Sequence, residues 1–375
     1  MSAMSDMSGT PGRPLFLHIG LQKTGTSYLQ SIFWQNKEVL AEQGLDMVPG
    51  SKRATFHLML RARNRYRPAV DPPSVEGALD RLPEQLTQAP GDRALISEES
   101  LAPAPPEQIT RLLEHCGDRE VHLVITLRDL GRQLPSAWQQ DIQSGAHVSY
   151  PDYFERMRET ADDPLHRLWS SKNVSAILER WGAHIPADRI HVVTVPPPGS
   201  DPEVLLHRFC EVVGVDHTVL NKEVARSNRG IGRIQVEVLR RVNFRLAPEN
   251  RRREIFGEVG KRYFAVQVLG SQAGDKILVP ADEADWVREL SARYSAAIRG
   301  GGYHVVGDLA DLDPAPEAFS EASYEVSESD VLAASSEALA FMLTARMTDL
   351  RERREAESAP VTPPPERRLT RFRRR

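Results

Sequence analysis

The chain has 375 residues, enough for one large α/β domain or roughly two average ones. Hydrophobic residues make up 40% and charged residues 27%, a globular balance that excludes wholesale disorder. A net charge of −4, from 48 basic and 52 acidic residues, gives no global case for a nucleic-acid partner. Two cysteines, Cys116 and Cys210, are too few for a disulfide framework or a thiolate zinc site.

Residues 1–12 are small and polar and are expected to be a disordered lead. The apolar run at 15–21, broken by His18, is too short for a signal-peptide core or a membrane span, so a cytoplasmic protein is expected. Its first part predicts a buried strand entering a glycine-punctuated loop. Leu29, Ile32, Phe33 and Leu40 then recur at helical spacing. Residues 94–96, the β-branched run VHLVITL at 121–127, and 190–195 predict further strands. Helices are expected from about 132, over 165–183, and near 201–213, 231–246 and 282–299. This alternation argues for an α/β fold, a central parallel sheet flanked by helices with a helical C-terminal part.

Composition changes near the end. Residues 308–330 carry eight acidic side chains and no Lys, Arg or His, and the last nine residues hold six Arg. The expected division is a main domain over 13–307, an acidic linker and helix over 308–357, and a disordered basic tail over 358–375.

The richest segment is Gly20-Leu21-Gln22-Lys23-Thr24-Gly25-Thr26-Ser27, between a strand and a helix. Such a loop offers an anion the backbone N–H groups and positive dipole end of a helix, with Lys23 adding a full charge and Thr26 and Ser27 hydroxyls. A nucleoside-triphosphate P-loop places its lysine directly after the second glycine. Here that position is Thr26, and the lysine precedes Gly25 by two residues. A plain kinase or ATPase is therefore disfavoured.

The stretch LHIGLQKTGTSYLQ closely resembles the phosphosulfate-binding loop of sulfotransferases that use 3′-phosphoadenosine-5′-phosphosulfate (PAPS), commonly PKTGTTxLQ. The resemblance implies a P-loop-like fold, with Lys23 on the bridging oxygen of the donor and Thr26 and Ser27 on its 5′-phosphate. Thr24 and Gly25 complete the loop, and Tyr28 stands where some members hold an aromatic residue against the adenine. The family's proline before the lysine is Gln22 here. A second signature follows VHLVITL: Arg128 and, eight positions later, Ser136 have the spacing of the family's 3′-phosphate grip. A guanidinium fork beside a hydroxyl suits that group. The segment 226–230 looks, more weakly, like the family's basic closing loop, with Arg229 as a further 3′-phosphate contact.

Sulfuryl transfer needs a general base near the acceptor oxygen. Ile96-Ser97-Glu98-Glu99-Ser100 resembles the family's SSE segment, with Glu99 on its glutamate and Glu98 replacing a serine. His57 is the rival base. Arg61, Arg63, Arg65 and Arg67 beyond it read as a solvated helix face or loop, with an acceptor site for an anionic or polyhydroxylated substrate as the alternative, and His18 reads as a packed strand residue. No HExxH, HxH or CxxC grouping supplies a metal ligand set. The expected function is direct in-line transfer of sulfuryl from PAPS, without a metal, to a hydroxylated acceptor such as a carbohydrate, glycolipid or small metabolite. Two alternatives stand beside it: a nucleotide kinase or NTPase with a variant P-loop, and an inactive nucleotide-binding module. Oligomeric state is left open.

Overall fold

The computed structural model describes residues 12–223, 230–322 and 324–358. Six parallel strands form one sheet: β1 Pro14–His18, β2 Leu45–Met47, β3 Arg93–Ser97, β4 Glu120–Leu127, β5 Ile190–Thr194 and β7 His304–Val306. Their spatial order is β2-β3-β1-β4-β5-β7. A separate parallel pair joins β6 Val279–Pro280 to β8 Phe319–Ser320. The helices used below are α1 Thr26–Gln35, α2 Lys52–Ala62, α3 Leu130–Gln143, α4 Val204–Val213, α5 Arg233–Arg245, α6 Ala284–Gly300 and α7 Glu328–Ser358. A π-helix spans Gly257–Val268. Among the described residues, no helix is long and apolar enough to cross a membrane.

Side chains alternate across a strand, so each inner strand must be apolar on both faces when helices cover both. Leu15, Leu17, Ala94, Ile96, Leu123 and Ile125 face one core, which takes in Trp138, Tyr150 and Trp181. Phe16, Leu95, Val124 and Val193 face the other, against Leu29 and Phe33 of α1 and Leu206 and Phe209 of α4. Burying any one of these larger side chains contributes about 1.5–3 kcal/mol.

Strand order decides where a ligand can go. The chain leaves β1 toward β2 and β3 on one side, whereas it leaves β4 toward β5 on the other. Beyond the carboxyl ends of β1 and β4 the connections therefore part, opening a crevice. The β1 pairing runs past its last residue. Leu21 N–H donates to Thr126 O at 2.8 Å and Thr126 N–H to Gly20 O at 2.5 Å, which holds the glycine loop beside Arg128.

One element differs from the sequence expectation. The helix expected over 165–183 is confined to Val174–Gly182, because Asn173 caps it by accepting from Ala176 N–H, and turns precede it. Pro314 and Ala318 lie against α3: a Cβ at Gly131 would stand 2.7 Å from Ala318 Cβ. Asp311 accepts from Thr194 Oγ1 at 2.7 Å and pairs with Arg208 at 2.5 Å, so its charge is spent inside the molecule.

Candidate active site

The loop after β1 is shaped by three left-handed residues, Gly20 (φ 94°), Lys23 (φ 66°) and Gly25 (φ 90°). Glycine adopts this region freely, whereas lysine there is uncommon and strained, a state that clusters at functional sites. A side chain at Gly25 would also meet Leu205 of α4. Gly25 caps α1 with no side-chain hydrogen bond, so orphan N–H groups of the first turn stay open toward the loop.

Beneath the loop runs a buried polar chain. Thr24 Oγ1 donates to Leu21 O at 2.5 Å and shares a 2.6 Å hydrogen bond with Thr126 Oγ1. His18 bridges Ser97 Oγ at 2.8 Å and Thr126 Oγ1 at 3.3 Å. Burial pushes the His18 imidazole down to about 3, so it stays neutral and serves as a strut. Thr24, grouped by sequence with the donor contacts, thus spends its hydroxyl holding the loop. Thr26 is buried, Ser27 exposed and Tyr28 half-buried against the α1–α4 core.

Lys23 is half-buried, and its ammonium makes no hydrogen bond or ion pair with any described residue. Burial lowers its pKa, and the positive charges of Lys261 and Arg128 lower it further, while Glu99 opposes them. Glu99 and Arg128 are therefore close enough to act on Lys23 electrostatically, and so is Lys261, which the sequence reading did not single out. Lys261 stands on the π-helix, whose period no simple pattern signals.

Arg128 donates from Nη1 to Lys23 O at 3.2 Å, joining the two strand ends. Its Nε is buried without a partner. Burial pulls the group down to about 10, which leaves it charged at neutral pH. Asp129 does not neutralise it, because that carboxylate caps α3 through Arg132 N–H at 2.9 Å and pairs with the Arg132 side chain. Gln133 ties α3 to the loop by donating to Gln22 O at 2.9 Å. Ser136 is half-buried on α3, and no described group takes its hydroxyl. An unpaired ammonium, a guanidinium without a carboxylate partner and an open helix terminus fit a polyanionic ligand.

The carboxylates after β3 divide. Glu99 Oε2 accepts from Gln30 at 3.0 Å, a hydrogen bond that reaches across from α1. Glu98 caps the following turn through Ser100 N–H at 3.0 Å. Burial, and then the charge of Glu99, push Glu98 up to about 7. Sequence spacing passed over Glu98 because it stands where the resembled motif has serine.

His57, on α2, lies in different company. Its Nδ1 sits 3.3 Å from Ser74 Oγ, and burial, then Arg53 and Arg81, depress its pKa against Asp71. No contact brings it together with Lys23 or Glu99. Arg63, expected on a solvated face, is buried. It donates to Gln108 Oε1 at 2.8 Å and Ser100 O at 2.6 Å, bracing the turn that carries Glu99. Arg229 lies outside the described residues. Its successor Gly230 is described and packs on Gln139 of α3, whose side-chain amide donates to Ile231 O.

No family model matches the chain, and no curated protein matches it. Two solved structures are similar at a distance. A sulfotransferase from Alicyclobacillus acidocaldarius aligns with a TM-score of 0.42 and 16% identity, covering 77% of this chain and 96% of that one. A sulfotransferase domain from the curacin biosynthetic pathway aligns with a TM-score of 0.33 and 10% identity, covering 77% and 99%. At such scores the likeness carries no functional inference, which rests on the loop and its neighbours.

Proposed function

We propose that the chain is a sulfotransferase that moves a sulfuryl group from PAPS to an acceptor hydroxyl. One observation carries the reading: Arg128 and Lys23, joined at the ends of β4 and β1 by a hydrogen bond from the guanidinium to the Lys23 carbonyl, set an unpaired ammonium and a guanidinium with no carboxylate partner beside an open helix terminus.

In this reading the loop N–H groups with Thr26 and Ser27 hold the 5′-phosphate, and Arg128 with Ser136 holds the 3′-phosphate. Arg229 and the Tyr28 ring are further nucleotide contacts. PAPS supplies an activated S–O bond to a phosphate leaving group. Glu99 takes the acceptor's hydroxyl proton as the new O–S bond forms and the old one breaks, with the electron pair left on the phosphate oxygen. Lys23 balances the charge that grows there. Gln30 orients the Glu99 carboxylate by its hydrogen bond. His57, held by Ser74, is assigned to acceptor-side packing.

The kinase alternative needs a free carboxylate for magnesium after β4, and Asp129 is already committed to α3 and Arg132. Against an inactive nucleotide-binding module stands Glu99, whose negative charge acts on Lys23 and whose carboxylate is oriented by Gln30. The test is calorimetric titration with 3′,5′-bisphosphoadenosine beside ATP, followed by donor-dependent transfer of labelled sulfuryl. Tighter binding of ATP, with magnesium dependence, would overturn the assignment.

A further inference from the structure

A cavity of about 400 Å³ lies between α5, the π-helix and α7, and none of the proposed donor-site or base residues lines it. Leu239 and Val242 of α5, Phe256, Val259 and Phe264 on the π-helix side, and Met342 of α7 line it. A volume of this order falls in the range of roughly 300–1,000 Å³ that holds small molecules, and such sites are concave and mostly apolar. Water in so apolar a space finds few polar partners, so an apolar occupant displaces it with a gain. The rim is apolar too, since Ile255 and Val259 are 56% and 58% exposed.

The cavity is mechanically joined to the donor crevice. Asn243, a fully buried wall residue on α5, donates to Ile142 O at 2.8 Å and Ala146 O at 2.7 Å, which pins the wall to the last turn of α3. Ser136 lies six residues upstream on that helix, roughly 9 Å along its axis. The π-helix that forms one wall also carries Lys261, whose charge reaches Lys23. Widened helical turns of this kind occur at functional sites.

We propose that this cavity seats the apolar body of the acceptor, which is a hydrophobic alcohol or phenol rather than a free sugar. The inference rests on the sulfuryl-transfer reading of the neighbouring loop. The hydroxyl end of the acceptor then extends past α3 toward Lys23 and Glu99, and Lys261 flanks that path.

The test uses the full chain, with 4-octylphenol as the apolar probe and glucose as the polar one. Val259→Trp fills the rim of the cavity at an exposed position, and Val259→Ala leaves it open. The expected result is that 4-octylphenol binds and is sulfated in preference to glucose. Val259→Trp should weaken its binding at least ten-fold, Val259→Ala should retain it, and 3′,5′-bisphosphoadenosine affinity should hold in both. Unchanged 4-octylphenol binding in Val259→Trp overturns the inference. So does faster transfer to glucose in an enzyme that binds bisphosphoadenosine, and the sulfuryl-transfer reading then stands. If bisphosphoadenosine fails to bind while 4-octylphenol binds and is lost in Val259→Trp, the reading and the acceptor role both fall, leaving an apolar ligand site.

Discussion

Gly20 and Glu99 are in backbone-level contact: a Cβ added to Gly20 would stand 2.7 Å from Glu99 Cβ. The proposed base is thus seated directly against the start of the glycine loop after β1, and no side chain other than hydrogen fits between them. Gly20→Ala should lose stability twice over, through its left-handed φ of 94° and through the clash. Gly117→Ala is the control, since Gly117 is also left-handed, at φ 61°, with nothing near its Cβ. Backbone strain alone costs about 1–3 kcal/mol. Thermal unfolding should show Gly20→Ala well below Gly117→Ala, with nucleotide affinity falling only in the former.

Arg128→Ala tests the 3′-phosphate grip. It should weaken 3′,5′-bisphosphoadenosine by about 1.5–3 kcal/mol and leave adenosine 5′-phosphate nearly unchanged. Because Arg128 also holds Lys23 O, Arg128→Lys is the companion variant. Equal losses for both nucleotides in a titration would make Arg128 a loop brace instead.

Lys23→Ala and Glu99→Gln separate binding from chemistry. Both groups act on charge that develops during transfer, so turnover should fall far more than bisphosphoadenosine affinity. For Glu99→Gln a drop of roughly 10²–10⁴ is expected, because glutamine keeps the shape but takes no proton. His57→Asn, assayed beside it, should act on acceptor KM. Loss of turnover in the histidine variant alone would move the base to α2.

Glu98 gives a pH signature. Its carboxyl is raised from 4.5 to about 7 by burial and the Glu99 charge, so the folded state binds the proton more tightly than the unfolded one. Stability tied to this group is complete below pH 4.5 and is lost as pH rises through 7. Glu98→Gln should therefore be more stable than the wild type at pH 8, by up to about 3 kcal/mol, and nearly equal at pH 4.5. Denaturant titrations at the two pH values check this.

His191 gives the opposite slope. It sits in a ladder across three neighbouring strands: Glu120 Oε1 to His122 Nε2 at 3.0 Å, His122 Nδ1 to His191 Nε2 at 2.9 Å, and His191 Nδ1 to His304 Nδ1 at 2.9 Å. Phe16 packs on the rings, Arg189 pairs with Glu120, and Asp188 alone favours the charged form of His191. Burial and then the two neighbouring histidines depress it from 6.5 to about 4. The folded state thus resists a proton that the unfolded state accepts, and stability falls as pH drops from 6.5 through 4. His191→Asn should flatten that acid limb by up to about 3 kcal/mol, read from unfolding curves at pH 7 and pH 4. An unchanged slope would place the acid sensitivity elsewhere, with His18 the next candidate.

Local pattern alone determined the parallel sheet with helices on both faces and the glycine loop with its Lys23. The β-branched runs, the glycine spacing and the helical periodicity that specify them are short-range properties, visible within a dozen residues. The pairing of Lys23 with Arg128 was legible only as a resemblance between two distant motifs. Tertiary structure decided the rest. Thr24 turned inward because Thr126 lies beneath it on β4, a contact 102 residues away in sequence. Glu98 and Glu99, adjacent and identical in type, make different contacts because one caps the following turn and the other accepts from Gln30 of α1. Lys261 and the apolar cavity came from packing the π-helix and α7 onto α5. Burial, desolvation and charge proximity are sums over neighbours from many parts of the chain, and no window of sequence contains them.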